Sequence, residues 1–436
     1  MTWLKKLPVI TLIALTLRLY SLTNYIDHKP HQALGAIPFL FEPGNIAFSI
    51  ATGHGFASPF RTETGPTAWM TPIYPEILAG IFKVFGKYTY EAFLSAALLN
   101  ILFSTLTTIP IYLTAKKIKG PAAAATAAWL WAIFPQAIVL PYEALWDASM
   151  GALLAATILW ATLEIKRSWP AYGLLWGVAL LTTASLASAM PFLLVYAGLA
   201  ASGRERWKFP ALTAITALLI CLPWTIRNYQ TFQTLVPLRT VFGLSLWLGN
   251  NEKADGTSTS NQHPISNQKE RNLYIEQGEI AYNQNKEKEA LHYIAANPAH
   301  TVVLTTRRFK AIWTGGSVHP LNEFRNTNSN WTRWVLFFNI TAALLGAAGI
   351  IILFKTNDPY AIPAAVFPII YALPYYITLA PPRYRHPLDP ALLILAAVSL
   401  QAIWQNESKR FRKRSNPQGV KISSSKKSRT PATGNK

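Results

Sequence analysis

Mostly apolar stretches of roughly 16–23 residues recur along this chain, the length that crosses about 30 Å of hydrocarbon at 1.5 Å per helical residue. Ten are read, at 7–21, 92–114, 121–138, 145–164, 171–188, 189–202, 209–226, 333–354, 360–379 and 389–404. Composition agrees: of 436 residues, 51% are hydrophobic and 14% charged, where a soluble domain carries about 25% charged residues. The expected fold class is all-α, a polytopic integral membrane protein with about ten transmembrane helices.

Cytoplasmic loops of membrane proteins hold the excess of lysine and arginine. Lys5 and Lys6 precede the first stretch, Lys116, Lys117 and Lys119 follow the second, and Lys166 and Arg167 follow the fourth. Arg204, Arg206 and Lys208 follow the sixth, Lys355 the eighth, and a tail with ten Lys/Arg against one acid, Glu407, the tenth. Both termini are thereby expected in the cytoplasm, with the two sizeable polar segments outside it. The expected organisation is an N-terminal transmembrane module, 1–226, containing a first external loop at 22–90. An external helical cap at 227–332 follows, then C-terminal transmembrane helices at 333–404. The remainder, 405–436, reads as a disordered basic tail held near anionic lipid; nucleic-acid binding suits a juxtamembrane run less well.

Cys221, inside the seventh stretch, is the sole cysteine, so no intrachain disulfide or thiolate zinc cluster can form. With the short loops, this fits a bacterial inner membrane. No internal repeat and no inverted pair of broken helices is evident, which weighs against a transporter.

The first external loop carries an ordered set of acidic, small, aromatic and proline residues. They are Glu42, Ala47, Ala51, Gly53, Gly55, Phe56, Pro72, Tyr74, Pro75, Phe85 and Gly86. Further along stand Pro223-Trp224-x-x-Arg227-Asn228-Tyr229, Gly249-Asn250-Asn251 and Pro382-Arg383-Tyr384-Arg385-His386-Pro387. This series resembles the GT-C superfamily of polytopic glycosyltransferases, in particular the branch similar to protein mannosyltransferases and aminoarabinose transferases. The resemblance implies an inverting transfer of sugar from a polyprenyl-phosphate donor to an extracytoplasmic glycan, lipid or protein acceptor. No nucleic-acid partner is expected, since the basic run is a juxtamembrane tail.

The resemblance makes Glu42 the base that takes a proton as the acceptor oxygen attacks the sugar. From the residues alone, Glu42 before Pro43 equally reads as a helix-start acid favoured by the dipole. Glu143 and Asp147, four apart, are expected on one helical face as secondary acids, to orient the acceptor, to hold a metal or simply to sit solvated at a helix start. Arg383 and Arg385 break the positive-inside pattern and are candidates, with Arg227, for the donor phosphate, since a guanidinium grips two phosphate oxygens at once. A snorkelling role competes for each. Tyr74, Tyr384 and His54 are candidate substrate-lining residues, Tyr384 also fitting an aromatic belt. No histidine pair shows ligand spacing, so a divalent metal stays undecided.

In the second loop, 249–268 is polar, 269–295 is expected as a helix ended by Asn297-Pro298, and 299–314 as an amphipathic helix. The competing function is a lipid-linked sugar flippase or transporter, which would place charges or broken helices at mid-membrane depth.

Overall fold

The computed structural model describes residues 6–143, 145–164, 168–256, 260–316 and 319–415. Lys166, Arg167 and the tail from 416 onward lie outside the described residues. The described residues are helical with no strand; a single antiparallel bridge joins Ala57 to Pro66. Helix α1, Leu7–Asp27, starts at Pro8 and leads to a short α2, His31–Ala36. The segment expected as the first external loop then forms α3, Glu42–Ala51, and α4, Ile73–Phe85. Next come α5, Tyr90–Lys119, α6, Pro121–Ala132, α7, Pro135–Glu143, and α8, Ala148–Leu163. They are followed by α9, Trp169–Thr182, α10, Met190–Ala200, and α11, Glu205–Phe232.

The cap holds α12, Phe242–Gly249, α13, Gln268–Gln277, α14, Glu279–Ala296, and α15, Pro298–Thr314. The helix expected at 269–295 is split at Gly278, whose φ of +75° suits glycine. The chain closes with α16, Asn330–Lys355, α17, Ala361–Ile377, and α18, Asp389–Ser415. Because α18 runs through Ser415, residues 405–415 are helical rather than part of a disordered tail.

Among the described residues, five helices are long and apolar enough to cross a membrane: α1, α5, α11, α16 and the Pro382–Gln405 segment. The number rises to seven if two bent pairs each count as one span. The expected ten are therefore not all full spans by length. Helices α8, α9, α10 and α17 are shorter apolar helices, and much of α8 is buried by its neighbours.

Bending was invisible in hydropathy. One break, 42° between α6 and α7, follows from Pro135, which removes the N–H donor that Trp131 O would receive four residues on. Arg18 of α1, fully buried, fills this gap by donating to Trp131 O and Ala132 O, both at 3.3 Å, and to Ser104 Oγ at 2.9 Å. The charge is thus spread over backbone carbonyls instead of snorkelling outward. Close helix approach depends on small residues. Gly173 and Gly177 of α9 face α11, where an added Cβ would meet Thr213 O at 2.8 Å and the Ile220 Cβ at 2.5 Å.

Candidate active site

The elbow before α3 creates the site. The segment Ile37–Phe39 meets α3 at 96°, counting from His31, and this turn needs Gly44, since a side chain there would collide with the Phe39 carbonyl. Glu42, the first residue of α3, is buried at 6% exposure. Its carboxylate borders a cavity of about 190 Å³ that also takes walls from the start of α8, the α9–α10 junction, the cap and the turn before α18. Asp147, Arg239, His263, Arg383 and Tyr384 line the same cavity.

His263 lies 3.3 Å from Glu42, Nε2 to Oε1. The ring is packed edge-on against Phe60 and Trp69. Burial pushes its pKa below the usual 6.5; Glu42 opposes the shift and Arg383 adds to it. The ring is therefore neutral near pH 7. Its Nδ1 accepts the Ile265 N–H at 3.2 Å, which assigns the proton to Nε2, so the protonated nitrogen is the one in polar contact with the carboxylate.

Asp147 stands just before α8 and accepts a hydrogen bond from Thr183 Oγ1 at 2.7 Å. Arg239 and Arg383 are the cations it feels. Arg383 stacks its guanidinium over Trp146 at 4.1 Å and near the Tyr384 ring at 5.1 Å. Its Nε is buried without a hydrogen-bond partner. Neither Arg383 nor Arg239 forms an ion pair within 4.0 Å among the described residues. Tyr384 lies against the Tyr375 ring at 4.9 Å, and its carbonyl accepts from the Tyr371 hydroxyl at 3.2 Å.

Several sequence candidates fall elsewhere. Arg385 is fully buried: Nε donates to Asp389 Oδ1 at 2.7 Å, and its terminal nitrogens to Trp313 O and Asn339 O. It does not reach the cavity, because residues two apart on a helical turn point roughly 200° apart and Arg383 takes the cavity side. Arg227 is likewise occupied, donating to Thr67 O at 2.7 Å and Phe56 O at 2.8 Å; it clamps the first external loop rather than facing the cavity. Glu143 ends α7 and is exposed, while Asp147 precedes the next helix, so the expected shared helical face does not form. Tyr74 is buried and hydrogen-bonded with Asn100, and His54 lines a different cavity.

The sequence reading missed Arg239, an arginine in the segment expected to be external, which the positive-inside argument applied to Arg383 would also have flagged. It also missed Glu279, whose buried carboxylate accepts from Thr67 Oγ1, Tyr274 Oη at 2.5 Å, Thr240 Oγ1 at 2.5 Å and Ala68 N at 2.8 Å. Thr67 and Ala68 belong to the first external loop and the other partners to the cap. Nothing in local spacing announces that junction. Among the described residues, no three His, Cys, Asp or Glu side chains converge to hold a metal ion.

Residues 70–226 match the family model described as dolichyl-phosphate-mannose-protein mannosyltransferase, less than half of the chain. The whole fold is similar to the oligosaccharyltransferase of Archaeoglobus fulgidus in its apo form, with TM-score 0.55 and 14% identity over 95% of this chain and 52% of that one. The chain has a GT-C fold. The oligosaccharyltransferase AglB from A. fulgidus, in complex with an inhibitory peptide and a dolichol-phosphate, gives TM-score 0.55 and 16% identity over 95% and 52% of the two chains. The chain thus spans about half the length of these GT-C structures. ArnT from Cupriavidus metallidurans bound to undecaprenyl phosphate aligns more loosely, with TM-score 0.41 and 14% identity over 94% of this chain and 81% of that one. No curated protein sequence matches the chain. The family match ends short of Arg239, His263 and Arg383 and starts after Glu42, so it says nothing of those four side chains.

Proposed function

We propose that the chain is an inverting membrane glycosyltransferase that moves a sugar from a polyprenyl phosphate to a hydroxyl of an extracytoplasmic acceptor. The observation that carries the reading is one cavity of the GT-C fold in which a buried carboxylate, Glu42, faces two arginines, Arg239 and Arg383, that lack ion-pair partners among the described residues. The similar A. fulgidus AglB structure is in complex with a dolichol-phosphate, the class of carrier lipid this proposal needs.

In the proposed step the acceptor oxygen attacks the anomeric carbon while Glu42 takes its proton. The bond from that carbon to the phosphate oxygen breaks, and the polyprenyl phosphate departs carrying the electron pair. Arg383 and Arg239 stabilise the charge that develops on it. His263 holds the Glu42 carboxylate through Nε2–H, and Asp147, held by Thr183, orients the acceptor. The basic turns after the even-numbered stretches support a cytoplasmic location for both termini and an external one for the cavity, as in a bacterial inner membrane.

The broken α6–α7 segment and buried Arg18 are features that a lipid-linked sugar flippase would also use. Arg18 is fully buried among carbonyls, however, and offers no path for a polar headgroup.

The test is transfer by detergent-solubilised protein, offered radiolabelled polyprenyl-phosphate sugars and a membrane-extract acceptor, with Glu42→Gln alongside. Label should move only with the parent protein, the variant losing about 10²–10⁴-fold. Turnover retained by Glu42→Gln removes the residue from the base role. Donor binding without transfer by either protein would count against a transferase.

A further inference from the structure

A second cavity, of about 610 Å³, lies in the first external loop and shares no lining residue with the first. One wall is a face of α3, with Asn45, Ser49 and Thr52 at helical spacing. The other is the loop pinned by the Ala57–Pro66 bridge, and Tyr88 lies at a side. Its volume is within the range of ligand pockets, 300–1,000 Å³ or so. Ser49 is 4% exposed, and its Oγ has no hydrogen-bond partner. A buried hydroxyl in a cavity wall with no partner is uncommon enough to ask for a ligand.

The groups at the mouth are equally open. Arg61 spends only Nε, on Leu40 O at 3.0 Å, leaving its terminal nitrogens unbonded among the described residues. Glu63 forms no ion pair there either. Tyr88 stacks on Phe48, 5.3 Å between ring centroids, and gives the cavity an apolar side. Ser58, Arg61 and Tyr88 hold φ values of +57°, +59° and +57°, left-handed conformations that non-glycine residues seldom adopt and that cluster at ligand clamps.

The charges of Arg61 and Glu63 cancel, so the cavity has no formal bias toward an anion. What it offers is hydroxyl, amide, guanidinium and carboxylate groups beside an aromatic face. Those are donors and acceptors suited to a neutral ligand rich in hydroxyls. We propose that this cavity binds the non-reacting part of a neutral oligosaccharide, and so that the acceptor of the proposed transfer is a glycan. Ser49 follows Glu42 by seven residues on the same helix, a rise of about 10 Å. A glycan seated at Ser49 would therefore need a neighbouring sugar unit to bring a hydroxyl to Glu42. The acceptor role rests on the transferase reading; the binding site does not.

Saturation-transfer NMR on the full-length solubilised chain tests the site, with neutral di- and trisaccharides of glucose, galactose, mannose and N-acetylglucosamine as probes. The comparison is with Ser49→Leu, which fills the cavity wall, and with undecaprenyl phosphate binding as the check that the variant is folded. A saccharide signal from the parent protein, reduced at least tenfold in Ser49→Leu with carrier-lipid binding kept, supports the site. In the transfer assay the same variant should then raise the acceptor KM about tenfold. No signal from any probe, or equal signals from both proteins, overturns the proposal. So does displacement of the saccharide by inorganic phosphate or anionic-lipid nanodiscs, which would identify a headgroup site. Saccharide binding lost with Ser49→Leu in a protein that transfers no sugar would sustain the site and overturn only the transferase reading.

Discussion

Replacing His263 by alanine probes the proposed site at its most specific contact. Nε2 lies 3.3 Å from the Glu42 carboxylate, and the Ile265 N–H on Nδ1 fixes the tautomer that puts the proton there. A well-aligned hydrogen bond to a charged acceptor contributes about 1.5–3 kcal/mol, and this longer polar contact contributes at most the lower end of that range. About 1.5 kcal/mol corresponds to roughly a tenfold change in rate. We expect His263→Ala to lower kcat by up to about tenfold while donor affinity is kept. His263→Gln, whose amide N–H can stand in for Nε2–H, should recover most of that loss, which separates orientation from packing against Phe60 and Trp69. The pH profile adds a second check. Burial depresses the His263 pKa below 6.5, so the ring is still neutral when free histidine would be half protonated. The acidic limb of the parent profile should therefore not fall at 6.5. Stability follows the same sign: the unfolded chain takes up the proton first, so this contribution is constant above pH 6.5 and declines as the pH drops below it toward the folded pKa. Equal kcat for the parent and His263→Ala would refute the positioning role, as would a defect that His263→Gln leaves untouched.

Arg383→Ala should weaken carrier-phosphate binding about tenfold or more in an equilibrium binding assay, with Arg383→Lys recovering only part because the planar fork is lost. Arg385→Ala should instead strand the buried Asp389 carboxylate and destabilise the fold by about 3–5 kcal/mol, read as lost folded protein after detergent extraction. Glu279 has its pKa raised above 4.5, chiefly by burial. Its protonated form is thus the one favoured by folding, so stability at the loop–cap junction is full below pH 4.5 and falls as pH rises through the folded pKa. Hydrogen exchange of residues 56–68 should show that fall in the parent protein and a flat profile in Glu279→Gln; a flat parent profile would refute the assignment.

Much of the helical architecture is legible in apolar run length and in Pro/Gly punctuation: Pro298 opens α15, and Gly120 separates α5 from α6. Bends are not, because a window average cannot tell a straight span from one broken at Pro135 or turned at Gly44. The site was half legible. Glu42, Asp147, Arg383 and Tyr384 do line one cavity. Arg227 and Arg385, chosen by the same chemistry, are consumed by backbone carbonyls and Asp389. Arginine identity and membrane side give no signal for that difference, since the partners come from segments far away in sequence. His263 carries no local signal, since its place beside Glu42 depends on how the cap closes over the loop.

The distinction between paired and unpaired arginines also gives the proposed reaction its direction. Before transfer, one negative charge lies on Glu42 and one on the donor phosphodiester. Afterwards Glu42 is protonated and the departing phosphate monoester holds both. Charge therefore moves from the α3 end of the cavity toward the arginine end, and only a cation without a committed partner gains interaction as it arrives. Arg385, already bonded to Asp389 with a carbonyl on each terminal nitrogen, has nothing left to gain. Arg383, with an orphaned Nε and an aromatic shelf beneath it, and Arg239, without an ion-pair partner among the described residues, are arranged so that stabilisation grows with the charge on the leaving group.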